Sequence, residues 1–414
     1  MKHGFVPKQR FLFLQGPPGP FFVRLAEALR AIGHSVYRIN LNGGDRASWV
    51  GPAIDYRGPT ERWPSFVDAF LVDHRITDIV LFGDCRALHN AARGMARLRG
   101  VRIHVFEEGY IRPDWATLEL DGVNGHSTLP RDPAWFIEAA RSLPPMAPQA
   151  PVPATFRRRA HEATAYYAQT FLGTWRFPHY RSHRDRSAAA EALGWLKQLA
   201  LRKLHRGQAE TILSKLEGKR YYTLPLQLSS DHQIRIHSPF GSMEAGASYV
   251  IESFARSAPA DTLLLIKEHP LDNGLFSWGR FIRNEAARLR ISDRVLFAKG
   301  GEIATIVQGS LGVVTVNSTT GTLALASGIP VAALGHAVYN IPGITFSGPL
   351  DEFWAAPPPP DPETWDSFCR VLQARCLVYG GFASDEGIEL LVSGAIARMV
   401  NLSEMADIAA FPAE

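Results

Sequence analysis

The sequence predicts an α/β protein with two doubly wound lobes. A helical basic segment is expected between them and helices at the C-terminal end. Three observations predict it. Strand-sized apolar runs alternate with helix-period segments between residues 10 and 125. The same alternation resumes near residue 220. Two proline-rich breaks, Leu143 to Pro153 and Ala355 to Pro362, bracket the second block. With 414 residues, 46% hydrophobic and 20% charged, there is enough apolar side chain for two cores, which excludes a largely disordered chain.

In order, Arg10–Leu14 reads as a first strand, ending in the loop Gly16-Pro17-Pro18-Gly19. Phe22, Leu25, Ala28, Leu29 and Ile32 recur at helical spacing and stop at Gly33. Val36–Leu41, Asp78–Phe82 and Arg102–Phe106 follow as strands, with a helix at Ala87–Leu98. Residues 155–217 read as mostly helical. Tyr221–Gln227, Leu263–Lys267, Val295–Ala298, Gly312–Val316 and Val331–Leu334 are the strands of the second lobe. Between them lie helices at Met243–Ala255, Phe281–Leu289, Ile303–Gln308 and Gly321–Ala326. Asp366–Val378 and Ile388–Val400 read as terminal helices. The expected boundaries are 1–150, 151–219, 220–350 and 351–414. Two such lobes outline a GT-B type architecture, with Rossmann-like halves.

Charge and cysteine content narrow the class. The net charge is +4, but Pro151 to Arg220 carries fourteen Lys/Arg against five Asp/Glu. Arg157, Arg158, Arg159, Arg176, Arg181 and Arg184 are interleaved there with Tyr166, Tyr167, Phe171, Trp175 and Phe177. Cations mixed with aromatics suit an anionic bilayer surface. Nucleic acid is a weaker rival, and a solvated helical connector is the plain alternative. Cys85, Cys369 and Cys376 are too scattered for a disulfide framework or a zinc site. No apolar run reaches the ~18 residues of a membrane span, and Phe11–Leu14 is too short for a signal-peptide core. These features describe a soluble protein of the reducing cytoplasm.

In open parallel sheets ligands sit beyond the carboxyl ends of strands, so polar residues there are the candidates. Glu107-Glu108-Gly109-Tyr110 follows the strand ending at Phe106; a carboxylate so placed can work at an adjusted pKa, or simply be solvated. Lys267-Glu268-His269-Pro270 follows another strand, and a His before Pro is held out of the helical region. Asn317-Ser318-Thr319-Thr320-Gly321 opens a helix, where hydroxyls and free N–H groups hold a phosphate or cap the helix. Gln227, Asp231, Gln233 and His237 lie after the first strand of the second lobe. The Gly16–Pro20 loop lacks the lysine of a P-loop. No Asp-x-Asp metal signature is present, so metal-independent chemistry is expected.

Several blocks occur in a fixed order: Phe13-Leu14-Gln15-Gly16-Pro17, Glu107 to Pro113, Val123 to Pro133, Leu224 to Gln227 with Asp231 and Gln233, His237-Ser238-Pro239-Phe240, Lys267 to Pro270 and Val316 to Gly321. Together they resemble the capsule polysaccharide biosynthesis/export family, in particular its KpsS-like members, from about residue 11 to residue 345. The resemblance implies a retaining β-Kdo transferase of GT-B fold. Such an enzyme takes Kdo from CMP-Kdo and places it on lysophosphatidylglycerol, starting the linker of a Gram-negative capsule. It implies an acceptor lobe before residue 150 and a donor lobe at 220–350. It also implies a peripheral position on the cytoplasmic face of the inner membrane, no cofactor beyond the donor, and capsule assembly proteins as further partners. A chain-extending Kdo transferase, a sialyltransferase using CMP-sialic acid and a non-catalytic export factor are the alternatives.

The resemblance also suggests roles. Asp231 is the expected nucleophile, with Gln227 and Gln233 orienting it. Glu108 is the expected acceptor base, with Glu107 the fallback. His269, Pro270, Ser318, Thr319 and Thr320 are expected around the CMP phosphate. Lys267, Arg235 and His237 remain alternatives for binding the Kdo carboxylate.

Overall fold

The computed structural model describes residues 8–146, 149–181, 205–228 and 232–400, with isolated positions 194, 198 and 201. The chain forms two compact units. Residues 1–128, 143–183 and 370–414 make the first, and residues 129–142 and 184–369 the second. Among the described residues the strands are β1 (Arg10–Phe13), β2 (Ser35–Asn40), β3 (Ile54–Asp55), β4 (Asp78–Phe82), β5 (Arg102–Glu108), β6 (Trp115–Leu120), β7 (Arg220–Pro225), β8 (Thr262–Lys267), β9 (Val295–Ala298), β10 (Gly312–Thr315), β11 (Val331–Ala333) and β12 (Leu377–Tyr379).

The first unit's sheet has the order β12-β6-β5-β4-β1-β2-β3. β1 to β5 are mutually parallel, whereas β6 and β12 join antiparallel. The second unit's sheet, β11-β10-β7-β8-β9, is parallel throughout. Counted within each unit, both parallel sets run 3-2-1-4-5. The winding therefore reverses between β1 and β4, and again between β7 and β10. Those two switch points are where an open α/β sheet leaves a crevice.

Apolar periodicity accounts for the cores. β1 buries Phe11, Leu12 and Phe13 completely. The helix Phe21–Ala31 turns Phe21, Phe22, Leu25 and Leu29 onto that sheet. In the second unit, Tyr222, Leu224, Leu264, Ile266 and Val314 pack on the helices Met243–Ser257 and Trp278–Arg288.

The structure corrects four expectations. β5 runs two residues past Phe106, so Glu107 and Glu108 are strand residues rather than loop residues; pairing with β6 (Glu107 opposite Thr117, Glu108 opposite Ala116) carries the strand onward. The terminal block 351–414 is not a set of helices standing apart. The helix expected to reach Val378 stops at Arg375, and Leu377–Tyr379 becomes the edge strand β12. The last helix, Asp385–Val400, buries Ile388, Leu391, Ala395 and Met399 in the first unit's core. The 151–219 segment is divided, its helix Phe156–Leu172 belonging to the first unit. That helix comes close to the helix Gly43–Ala47, because a Cβ on Gly44 would meet the Tyr166 carbonyl oxygen at 2.7 Å. Among the described residues no helix is long and apolar enough to cross a membrane.

Candidate active site

The switch point of the second unit is tied by one side chain. Gln227, just beyond β7 and 5% exposed, accepts a hydrogen bond from the Asn317 backbone N–H at 2.9 Å, just beyond β10. Asn317 in turn donates from Nδ2 to the His237 carbonyl oxygen at 2.8 Å. That oxygen also accepts from the His336 N–H, and the His237 side chain is buried. Ser318 accepts from the Thr320 N–H at Oγ and lies 3.1 Å from the Thr320 hydroxyl. The Ser318 N–H donates to Thr315 Oγ1, and the Thr319 carbonyl accepts from Thr322 Oγ1. Tyr339 donates to the Ser318 carbonyl. Gln227, His237, Ser318, Thr319 and Thr320 are thus gathered on one rim. Asn317 was part of a motif in the sequence but not among the candidate residues; the pairing of Gln227 with its backbone is a tertiary fact.

Lys267 closes β8 beside β7, with Pro225 opposite it. It is buried, and burial lowers its pKa. Glu268 is also buried, which pushes its carboxyl up to about 7, against the opposing pull of Lys299 at 3.5 Å. His269 Nδ1 accepts from the Leu271 N–H at 3.1 Å. That bond places the ring proton on Nε2, the tautomer that donates to an anion. Pro270 is exposed. Arg235 is exposed too. Asp231 and the Gln233 side chain, expected as nucleophile and orienting group, lie outside the described residues.

In the first unit the corresponding rim is built from the ends of β1, β4 and β5. Part of it is filled. Gln15 donates to the Tyr166 hydroxyl at 2.6 Å, and Tyr166 donates to Asp45, which pairs with buried Arg38 at 3.2 Å. The two adjacent glutamates differ because successive strand residues face opposite sides. Glu108 forms an ion pair with Arg159 of the helix Phe156–Leu172. Among the described residues Glu107 has no ion pair, and Arg86 and Arg112 act on it only as more distant charges. Its Oε1 accepts from the Glu108 N–H at 3.1 Å, and desolvation pushes its pKa up to about 7, with the Glu108 charge adding. Gly83, at φ 68, leaves it room, since a Cβ there would lie 3.1 Å from Glu107 Oε2.

Beyond β4, buried Asp84 accepts from His126 Nδ1 at 2.9 Å and pairs with Arg93 at 3.2 Å. Cys85 Sγ is 3.9 Å from the same ring nitrogen. Asp84, Cys85 and His126 are a ligand-type set, but the Arg93 guanidinium already supplies the positive charge among them. Sequence reading missed this group; an Asp directly after a strand was its only signal. Another missed group is Glu119, inside β6. It accepts from Tyr110 at 2.5 Å and from Ser127 at 2.5 Å, and burial pushes its pKa up to about 6.

The basic segment is partly spent on structure. Arg158 pairs with Glu162 and Asp385, Arg159 with Glu108, and Arg176 with Asp55. Arg184 lies outside the described residues. At the end of the helix Phe156–Leu172, Phe171 (64%), Leu172 (62%) and Trp175 (78%) are exposed. These exposed apolar residues are followed in sequence by exposed Arg181.

Two doubly wound units with polar residues beyond the carboxyl ends of their strands define an α/β protein of two Rossmann-like units. The sequence model described as "Capsule polysaccharide biosynthesis protein" matches residues 77–382, and the chain belongs to that family. It is 35% identical over 369 residues to the capsule polysaccharide modification protein LipB of Neisseria meningitidis serogroup A, covering 87% of this chain and 88% of the relative. It is 35% identical over 379 residues to the capsule polysaccharide export protein KpsS of Escherichia coli, covering 89% and 96%. Among solved structures it is similar to "Thermosulfurimonas dismutans KpsC, beta Kdo 2,7 transferase", at 14% identity and a TM-score of 0.46, over 95% of this chain and 100% of that one.

Proposed function

We propose that the protein is a retaining β-Kdo glycosyltransferase that moves Kdo from CMP-Kdo to lysophosphatidylglycerol. Its product starts the poly-Kdo linker of a Gram-negative capsular polysaccharide. The observation that carries this reading is the rim formed by Gln227, His237, Ser318 and Asn317 at the β7–β10 switch point, the crevice in which doubly wound sheets hold nucleotides. The family's capsule role and the motif blocks around that rim supply the sugar.

The chemistry runs as two displacements. Asp231 forms a bond to the anomeric carbon of Kdo while the bond to the CMP phosphate oxygen breaks, and CMP leaves with both electrons. His269, donating from Nε2, and the Ser318, Thr319 and Thr320 hydroxyls stabilise the departing phosphate, so no metal ion is required. In the second step the acceptor hydroxyl attacks the same carbon, Glu107 takes its proton and the Asp231 carboxylate leaves. Glu107 suits that task better than Glu108, because a pKa of about 7 matches a base near neutral pH, whereas Glu108 is held by Arg159. A phospholipid acceptor puts the enzyme on the anionic inner-leaflet surface, on its cytoplasmic side, where capsule assembly proteins are its neighbours.

The test is incubation with CMP-Kdo, generated in situ, and fluorescent lysophosphatidylglycerol, read by mass spectrometry. One added Kdo is expected, with loss of product in a folded Asp231→Asn variant. Transfer only from CMP-sialic acid refutes the donor. Capsule production sustained by folded Asp231→Asn and Glu107→Gln variants refutes catalysis.

A further inference from the structure

Among the described residues of the second unit, Lys267 is a buried cation with no carboxylate in ion-pair contact, and the nearby Glu268 charge only partly offsets the cost of its burial. It is 6% exposed, at the carboxyl end of β8. Alternation along the strand puts it on the face of Leu263 and Leu265, which pack with Tyr221 and Ile306. Toward the carboxyl ends that face turns polar, with Thr223 on β7, Thr315 on β10 and Lys267 on β8, all buried. Among the described residues its ammonium reaches one acceptor, the Glu268 carbonyl oxygen at 3.4 Å. The nearest acidic residue in sequence, Glu268, just past the end of β8, pairs with Lys299 at 3.5 Å, and its charge reaches Lys267 without an ion-pair contact. An ammonium has three donors and is costly to bury without a counter-charge. A site built to receive an anion tolerates that cost, because the ligand brings the missing charge.

We propose that Lys267 receives the carboxylate of a sugar acid on the donor, so that the second unit selects acidic sugar donors over neutral ones. The inference rests on the reading of the donor as a cytidylyl sugar acid and deepens it. Of the three candidate cations, Arg235 is exposed, and the backbone of buried His237 is bound up in the Asn317 contact. Lys267 combines burial, a position at the carboxyl end of β8 beside β7 and the absence of an ion-paired carboxylate among the described residues.

Lys267→Met keeps the volume of the side chain and removes the charge. The KM for CMP-Kdo is expected to rise about tenfold or more with kcat little changed, while inhibition by CMP alone shifts by less than about twofold. The ligand-free variant is expected to melt at a higher temperature than the wild type, because a buried charge without an ion-paired carboxylate among the described residues is gone. Inhibition by CMP weakened as much as the donor KM overturns the proposal, since the ammonium then serves the phosphate. A lowered melting temperature with an unchanged donor KM overturns it too, since the ammonium is then a structural element. Failure of the wild type to transfer Kdo at all refutes the functional reading alone. The inference then stands or falls on whether free Kdo raises the melting temperature of the wild type and not of Lys267→Met.

Discussion

Glu107→Gln tests the acceptor base through two independent readouts. The glutamine keeps the shape and removes both the charge and the proton-accepting oxygen. Desolvation raises the Glu107 carboxyl from 4.5 to about 7. At 1.36 kcal/mol per pKa unit, that shift corresponds to about 3 kcal/mol between the two protonation states. The sign follows from proton counting. Below 4.5 the group is protonated in both folded and unfolded chains and costs nothing. Between 4.5 and about 7 the folded chain holds the proton that the unfolded chain has released, so stability falls as pH rises. Above 7 the folded protein carries the whole cost. Thermal unfolding should therefore show Glu107→Gln near wild type at pH 4 and more stable at pH 8. Activity should move the other way. Loss of a general base costs ~10²–10⁴ in kcat, and the limb of kcat/KM that rises near pH 7 in the wild type should vanish. Glu108→Gln, which breaks the pair with Arg159, should keep that limb. A Glu107→Gln enzyme that stays within about threefold of wild type and keeps its acidic limb refutes the assignment.

Two further outcomes are expected. Gln227→Ala leaves the Asn317 N–H buried without its acceptor, at a cost of about 1–3 kcal/mol, so donor KM should rise about tenfold in a folded variant; Gln227→Glu, which keeps an oxygen there, should lose less. An unchanged KM in both would remove Gln227 from the donor site. Replacing Phe171, Leu172 and Trp175 together by Ser should reduce cosedimentation with vesicles of phosphatidylcholine and phosphatidylglycerol about tenfold or more, since each buried apolar side chain contributes about 1.5–3 kcal/mol. Undiminished cosedimentation would show that these side chains do not enter the bilayer.

What the sequence made legible follows from the length of each signal. Helices such as Ala87–Leu98 and Ile303–Gln308 and strands such as Asp78–Phe82 and Val295–Ala298 stand where their periodicity predicts them. β12 could not be read, because three residues, Leu377–Tyr379, carry no period and become a strand only by pairing with β6. β6 was hidden by Glu119, a carboxylate where a buried strand should be apolar; Tyr110 and Ser127 satisfy it there. The end of β5 was misplaced for the same reason: a charge at residue 107 reads as a loop until a partner strand is known to extend beside it. The same geometry reverses the ranking of the two glutamates. In sequence they are equivalent neighbours, and only the alternation of a strand sends one to an arginine and leaves the other desolvated. The rim at the β7–β10 switch point shows the converse case. Gln227, His269 and Ser318 were legible because their position after strands is local information, whereas the bond joining Gln227 to Asn317 exists only because β7 and β10 are neighbours across ninety residues of chain. Residue type and strand position therefore point to the candidates, whereas burial and the partner on each face set the charge environment that distinguishes Glu107 from Glu108.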